Sequence, residues 1–287
     1  MDEHNHSEDS IAMACIIVAW IFGLLSNCLA LYVTRTMSYF RNAYGILCSS
    51  FLICNLQSIS VLFTWCTIVL AVRLPILSSS ELFLARLIGV LVNGPYYGSL
   101  FSHFFVALNR FCAVAYPIKY NNLWTESKAL VAGFMSYILG TVLCLTHLCK
   151  ECSLLFNKNF SYRFSYEDSY YGRLCAKADA AASMFIALMI ACVDFITFVK
   201  TVAYRKSCLI SFIYITSAII IVVHPFLFTD KWLLFTSSTI TWILMQSMDG
   251  IVILTFNRKL IWKTTSRNAK SIMPVTTFFQ LQSITRH

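Results

Sequence analysis

The ionisable side chains His103, Asp194 and Asp249 lie within long apolar stretches of this 287-residue chain, and Arg110 closes one of those stretches. Intramembrane proteolysis or acyl transfer would need such groups gathered around one bond, so that a proton donor and acceptor converge on it. Here they are scattered over separate stretches. No Gly-rich phosphate loop, nucleophile elbow or His-Glu-x-x-His segment accompanies them. An enzyme is therefore not expected, and neither is a cofactor. Nor is a metal site, because His4-x-His6 is an isolated pair in a polar terminal segment. What remains is pairing, since an ionisable or amide group in hydrocarbon is costly unless it has a partner. Asn27 in Gly23-Leu-Leu-Ser-Asn27, Asn55 and Asp249 fall at similar depths of three stretches. If those stretches are neighbours the three side chains can meet, each amide bridge contributing about 1 kcal/mol. Plain adhesion between helices and a conformational switch both remain open for them.

The elements that position these residues are seven apolar spans, roughly 11–34, 44–70, 87–113, 129–148, 180–203, 208–228 and 232–256. Each supplies about the 20 residues that a bilayer core demands. Hydrophobic residues make up 58% of the chain and charged ones 12%, about half the charged share of a soluble domain. No stretch is left over for an independent soluble domain. The expected fold is an all-α membrane protein, a seven-helix bundle of residues 11–256. Residues 1–10 form an outer terminus, 257–270 a helix along the inner surface and 271–287 a flexible inner tail. The acidic first ten residues lack the basic region of a cleavable signal peptide, so span 1 is expected to act as its own insertion signal.

Charge orients the bundle. With the N-terminus outside, 14 Lys and Arg fall inside and 8 outside, while ten of the thirteen acids fall outside. Basic loops stay on the cytoplasmic side, so the C-terminus is expected there. Both acceptor sequons, Asn5-His6-Ser7 and Asn159-Phe160-Ser161, fall outside in this arrangement. The net charge of +9 thus reflects insertion into a lipid bilayer and not nucleic-acid binding.

Nine of the twelve Cys sit in or at the ends of spans, where Cys is usually a small packing residue. Cys149, Cys152 and Cys175 bracket the second outer loop in an oxidising compartment. A disulfide from Cys175 to Cys152, or to Cys149, is expected to fold that loop back on itself.

Span 3 ends Leu108-Asn109-Arg110-Phe111-Cys-Ala113, followed by Tyr116-Pro117-x-x-Tyr120. This resembles the segment that closes the third helix of rhodopsin-like G-protein-coupled receptors, with Asn109 in place of the usual acid. Asn27 resembles the hallmark Asn of helix 1, and Asn55 holds the helix 2 position usually given to Asp. Asp249-Gly250-Ile-Val-Ile253 stands where Asn-Pro-x-x-Tyr is expected, and Phe256 to Lys263 resembles the short helix along the inner surface. More closely, the chain resembles the nematode serpentine chemoreceptors of class x. Arg41-Asn42-Ala-Tyr-Gly45-Ile-Leu-Cys48 and Asp194-Phe195-Ile-Thr-Phe198 carry this, with Lys231-Trp232, Met248-Asp249-Gly250 and Phe256-Asn257. The resemblance covers about residues 11–263.

It implies a receptor in the plasma membrane of a sensory cell, on a cilium, that detects a small chemical cue and signals through a heterotrimeric G protein. In that role Arg110 is the switch residue, with Asn109, Phe111, Tyr116 and Pro117 beside it facing the G protein. With Asn109 replacing the acid, Asp194 in the inner half of helix 5 is the replacement partner for Arg110. No Cys stands at the outer end of helix 3, where Ala85 and Arg86 lie. The usual bridge from helix 3 to the second outer loop is therefore absent, and the bridge within the loop substitutes for it.

The ligand pocket would be lined by Asn93, Tyr96 and Tyr97 beside a Gly94-Pro95 break, with Phe235, Thr239 and Trp242 on helix 7. Spans 3, 6 and 7 carry no acid in their outer halves, which suits a neutral or weakly polar ligand. One departure bears on coupling. Helices 5 and 6 are joined by only Tyr204 to Ser207, which leaves helix 6 little overhang as a lever. The alternative is a receptor-like protein that does not couple, or does so only with a partner. A channel or transporter is less favoured, because no internal repeat or paired broken helix is visible.

Overall fold

Helices with apolar surfaces on nearly every side dominate the chain. The computed structural model describes residues 2–158, 161–200, 216 and 230–271. In chain order these are α1 (Asp2–Thr36), α2 (Ala43–Val72), α3 (Phe83–Ala115), α4 (Glu126–Leu143) and α5 (Tyr170–Lys200). The last helix, α6, begins as Lys231–Phe235, passes through a π-helical turn, Thr236–Ile240, and continues as Thr241–Ser271. Among the described residues six helices are long and apolar enough to cross a membrane. They fall on the expected spans 1 to 5 and 7. The span expected over 208–228, the link Tyr204 to Ser207, Asn159 and the tail from 272 lie outside the described residues.

Polar residues just ahead of the apolar runs start the helices. The Asn42 side chain accepts from the Gly45 N–H at 3.0 Å, Thr125 from Lys128 at 3.3 Å and Asp230 from Leu233 at 2.8 Å. Each satisfies an amide that has no partner within its own helix. α2 ends where Arg73 turns left-handed, at φ 59°. Two boundaries differ from expectation. α1 is already helical at Asp2, so residues 2–10 of the expected terminal segment belong to the first helix. α6 runs unbroken through Ser271, with no break near Asn257 to set off a separate helix over 257–270.

α3 packs on α2, α4 and α5, while α1 packs on α2 and α6. Pro95 lies inside α3 without interrupting it, so the expected Gly94-Pro95 break is absent. The proline removes the N–H that would reach the Leu91 carbonyl; on the next carbonyl, that of Val92, the Ser58 hydroxyl of α2 donates at 2.8 Å. The α3–α4 crossing is a backbone contact, because a Cβ on Gly140 would run into the Gly94 carbonyl and the Gly98 amide. Close approach of this kind is what small residues allow in membranes. Gly140→Leu is therefore expected to destabilise the purified protein by roughly 1–3 kcal/mol or more, through forced backbone shifts. Thermal melting in detergent checks this, with Leu130→Ala at a 61% exposed position as the control that should not move.

The fold is not purely helical. The segment between α4 and α5 contains an antiparallel hairpin, β1 (Leu154–Asn157) and β2 (Arg163–Tyr166), with Leu154 opposite Tyr166 and Asn157 opposite Arg163. Leu154, Leu155 and Phe156 are all buried against the bundle, and Gly89 of α3 leaves room for the Leu154 carbonyl. Three apolar residues are too short a run to announce a strand, so the expected all-α fold did not include the hairpin.

The hairpin also anchors the N-terminus. Asp9, 4% exposed, accepts from the Tyr162 hydroxyl at 2.9 Å and pairs with Lys158 and Arg73, each at 3.2 Å. Lys231 reaches Glu8 at 2.8 Å and lies over the Tyr162 ring. Burial, then the Asp9 carboxylate, pushes the Tyr162 phenol up, which keeps it a neutral donor. One end of the bundle is thus closed by contacts among α1, the turn after α2, the hairpin and α6.

Candidate functional site

Polar groups inside the bundle fall into three sets, read from the end opposite the hairpin. At that end α3 delivers Arg110 and α5 delivers Asp194. Arg110 Nη2 donates to both carboxylate oxygens of Asp194, at 2.7 and 3.0 Å. Asp194 is 1% exposed and Arg110 9%. The Tyr120 hydroxyl donates to the Asn109 side-chain oxygen at 3.2 Å. Phe111 meets Tyr116 edge-on, and Lys200 lies over the Phe111 ring. Tyr116 ends α3 and Pro117 follows in the turn. Removing either member of a guanidinium–carboxylate pair buried between two helices leaves a stranded charge.

Midway, Asn27, Asn55 and Asp249 are all buried but do not form one triangle. Asn55 Nδ2 donates to Asp249 Oδ2 at 2.7 Å and to the Gln246 carbonyl at 3.2 Å. Asn27 Nδ2 donates to that same carbonyl at 3.2 Å and to the Gly23 carbonyl at 2.9 Å. Asn27 therefore joins the others through the α6 backbone and does not touch Asp249. A further member is His103, whose Nε2 lies 2.9 Å from Asp249 Oδ2 and whose ring stacks on Phe51. Sequence reading left His103 among scattered groups, although it stands two helical turns before Arg110 on the same face. The Gln246 amide serves its neighbours best with its oxygen toward the Trp242 indole N–H at 2.5 Å.

At the hairpin end the six residues expected around a ligand divide. Asn93 and Tyr97 turn toward α5: Asn93 Nδ2 donates to Asp179 Oδ1 at 3.1 Å, and the Tyr97 hydroxyl to the same oxygen at 2.8 Å. Asn93 also meets His147 Nε2 at 3.0 Å. Phe235 and Thr239 turn the other way, Phe235 against the Tyr162 ring and Thr239 donating to the Tyr162 carbonyl at 2.8 Å. They hold the hairpin. Trp242 joins the two groups, with Tyr96 on one side at 5.6 Å and Phe164 of the hairpin at 6.5 Å.

Asp179 is the residue that sequence reasoning missed. A span drawn from 180 leaves it in the loop, whereas α5 begins at Tyr170 and carries it inward. Its position relative to Asp194 was the available signal. Positions 179, 183, 186, 190, 194 and 197 recur every three or four residues, one face of a helix, and all but Asp179 are buried. The two acids lie about 22 Å apart along that stripe at 1.5 Å per residue. Burial, then the Asp179 carboxylate, pushes the hairpin's Tyr166 phenol up, so it too stays neutral.

Cys152 and Cys175 form the disulfide, and Cys149 is free and exposed. Asp179 follows Cys175 by one helical turn, so the bridge ties the loop to the turn that bears the carboxylate. Where a helix 3 cysteine is missing, Arg86 Nη1 instead donates to the Leu148 carbonyl at 2.6 Å. Among the described residues no group of three or more His, Cys, Asp or Glu side chains is arranged to hold a metal ion.

A family model described as "Serpentine type 7TM GPCR chemoreceptor Srx" matches residues 17–210, more than half of the chain. No curated protein matches it.

Proposed function

From the premise that this chain belongs to the Srx family of serpentine seven-transmembrane chemoreceptors, we propose that it detects a small chemical cue outside the cell. It passes the signal to a heterotrimeric G protein inside. The family is one of membrane receptors and not of enzymes. In this reading the hairpin end faces outward with the N-terminus, and the inner end presents Asn109, Arg110, Phe111, Tyr116 and Pro117 to the G protein. The plasma membrane of a sensory cilium is the place where such a receptor meets its cue.

The observation that carries the proposal is the Arg110–Asp194 pair. Asn109 supplies no charge to its neighbour, and Asp194 on α5 meets Arg110 instead. A buried pair between two helices is a two-state device: closed while the pair is intact, open when α3 and α5 separate. The outer set supports the same reading, because Asp179 and Asp194 ride on one stripe of α5. A ligand that moves α5 at the outer end therefore acts on the lock at the inner end. Asn27, Asn55, Asp249 and His103 connect α1, α2, α3 and α6 midway and are proposed to set the balance between the two states.

Full-length receptor expressed with a fluorescent calcium reporter, and screened with small volatile and water-soluble compounds, tests this. At least one compound is expected to raise a response that Arg110→Ala abolishes while surface expression persists. A response that survives Arg110→Ala unchanged would remove the switch role. The ligand was expected to be neutral because spans 3, 6 and 7 lack outer acids. Asp179 enters the same region from α5 and bears on that expectation.

A further inference from the structure

We infer that the outer end of the bundle holds a cation-binding subsite centred on the Asp179 carboxylate, and that the cue it takes is a small protonated amine. This inference rests on the receptor reading above and specifies its ligand.

The carboxylate meets only neutral donors among the described residues. Asn93 and Tyr97 both donate to Oδ1, and Tyr97 also donates to the Asp179 backbone carbonyl. His147 is the ionisable base of the cluster, and its contacts define a neutral tautomer. Nδ1 lies 3.3 Å from the Cys152 carbonyl, which can only accept, so Nδ1 carries the proton. Nε2 then accepts from Asn93, which has one N–H for His147 and one for Asp179. Among the described residues no lysine or arginine pairs with Asp179; Arg86 donates to the Leu148 carbonyl and Lys150 pairs with Glu81. Among the described residues this half-buried carboxylate thus has no counter-ion in a low-dielectric bundle, and a cation that reaches it is favoured.

The surroundings select the kind of cation. Tyr96 and Tyr97 stand with ring centroids 5.5 Å apart at 67°, and Tyr166 packs on His147 at 5.6 Å. Aromatic faces attract ammonium groups through their quadrupoles. The buried Tyr166 hydroxyl approaches the carboxylate without completing a hydrogen bond to it, and so retains an oxygen for an incoming N–H. A hard metal ion would want several oxygen ligands, and the cluster has one carboxylate. Tyrosines around a single acid suit an organic ammonium.

The test uses the full-length receptor in lipid nanodiscs with phenethylamine, charged at neutral pH, and N-acetylphenethylamine, which keeps the ring and loses the charge. Thermal stabilisation is titrated on wild type, Asp179→Asn and Asp179→Glu. Phenethylamine is expected to stabilise wild type saturably and Asp179→Glu more weakly. Its apparent affinity for Asp179→Asn is expected to fall about tenfold or more, as losing a charge-assisted contact requires. N-acetylphenethylamine is expected to do nothing. Failure of phenethylamine to stabilise wild type, equal action of the neutral compound, or undiminished binding by Asp179→Asn would overturn the subsite. The charged-against-neutral comparison decides the matter on wild type alone if the Asn variant does not fold. G-protein nucleotide exchange on the same samples separates the two readings. Charge-selective binding without exchange overturns signalling and leaves the subsite, while exchange driven by the neutral compound overturns the subsite and leaves signalling.

Discussion

Asp194→Asn is expected to lower the stability of the inactive receptor by roughly 3–5 kcal/mol, because it strands the buried Arg110 guanidinium. Both partners are nearly sealed, with side chains 10% and 1% exposed, so solvent screens the loss little. The stranded charge has one remedy, which is to move toward water at the inner surface, and that movement opens the bundle. The same variant is therefore expected to raise basal signalling while it lowers the melting temperature. Pairing it with Arg110→Gln removes the second charge, and the double variant should melt above Asp194→Asn, since replacing both members of a buried pair costs less than breaking it. Thermal melting of wild type, the two single variants and the double variant checks this. A single variant as stable as wild type, or a double variant less stable than either single one, would show that the pair contributes nothing.

Loss of the Cys152–Cys175 bridge ranks next in expected effect. The two residues are 23 apart in sequence, and removing a native disulfide that closes such a loop costs about 2–5 kcal/mol. Here the cost falls on the outer cap and not on the whole bundle. The bridge anchors the loop to α5 one turn before Asp179, and the Cys152 carbonyl faces His147. Cys175→Ala is thus expected to loosen the hairpin, to spoil the Asn93–His147–Asp179 contacts and to abolish the ligand response with the inner half intact. Cys149→Ala, at an exposed free thiol, is expected to be silent. Ligand-induced thermal stabilisation, measured beside the ligand-free melting temperature, checks both. An unaltered response in Cys175→Ala would mean that the loop does not shape the site.

Much of this architecture is readable in the residues themselves. Spans 1 to 5 and 7 are, because a bilayer sets one length for every crossing helix. The Arg110–Asp194 contact is also readable, since Asp194 is the acid in the inner half of helix 5. Asp179 was hidden by the same logic that finds spans. Lys177 and Asp179 pull a hydropathy boundary inward, yet a helix does not stop where hydropathy falls, and α5 continues ten residues before 180. The hairpin was hidden because Leu154 to Phe156 are buried on consecutive positions and show no alternation. The helical start of α1 was hidden because Glu8 and Asp9 read as solvated charge, whereas Lys231, Arg73 and Lys158 neutralise them. In each case a contact distant in sequence reversed what the local composition suggested.

The measurement that bears most directly on the account is nucleotide exchange by a purified heterotrimeric G protein, catalysed by the full-length receptor in nanodiscs, wild type against Asp194→Asn. The account predicts slow exchange with wild type and clearly faster exchange with Asp194→Asn, because the inner lock is gone. Exchange at the rate of empty nanodiscs with both folded proteins would contradict it, and would leave the Arg110–Asp194 pair as a structural clamp in a protein that does not couple.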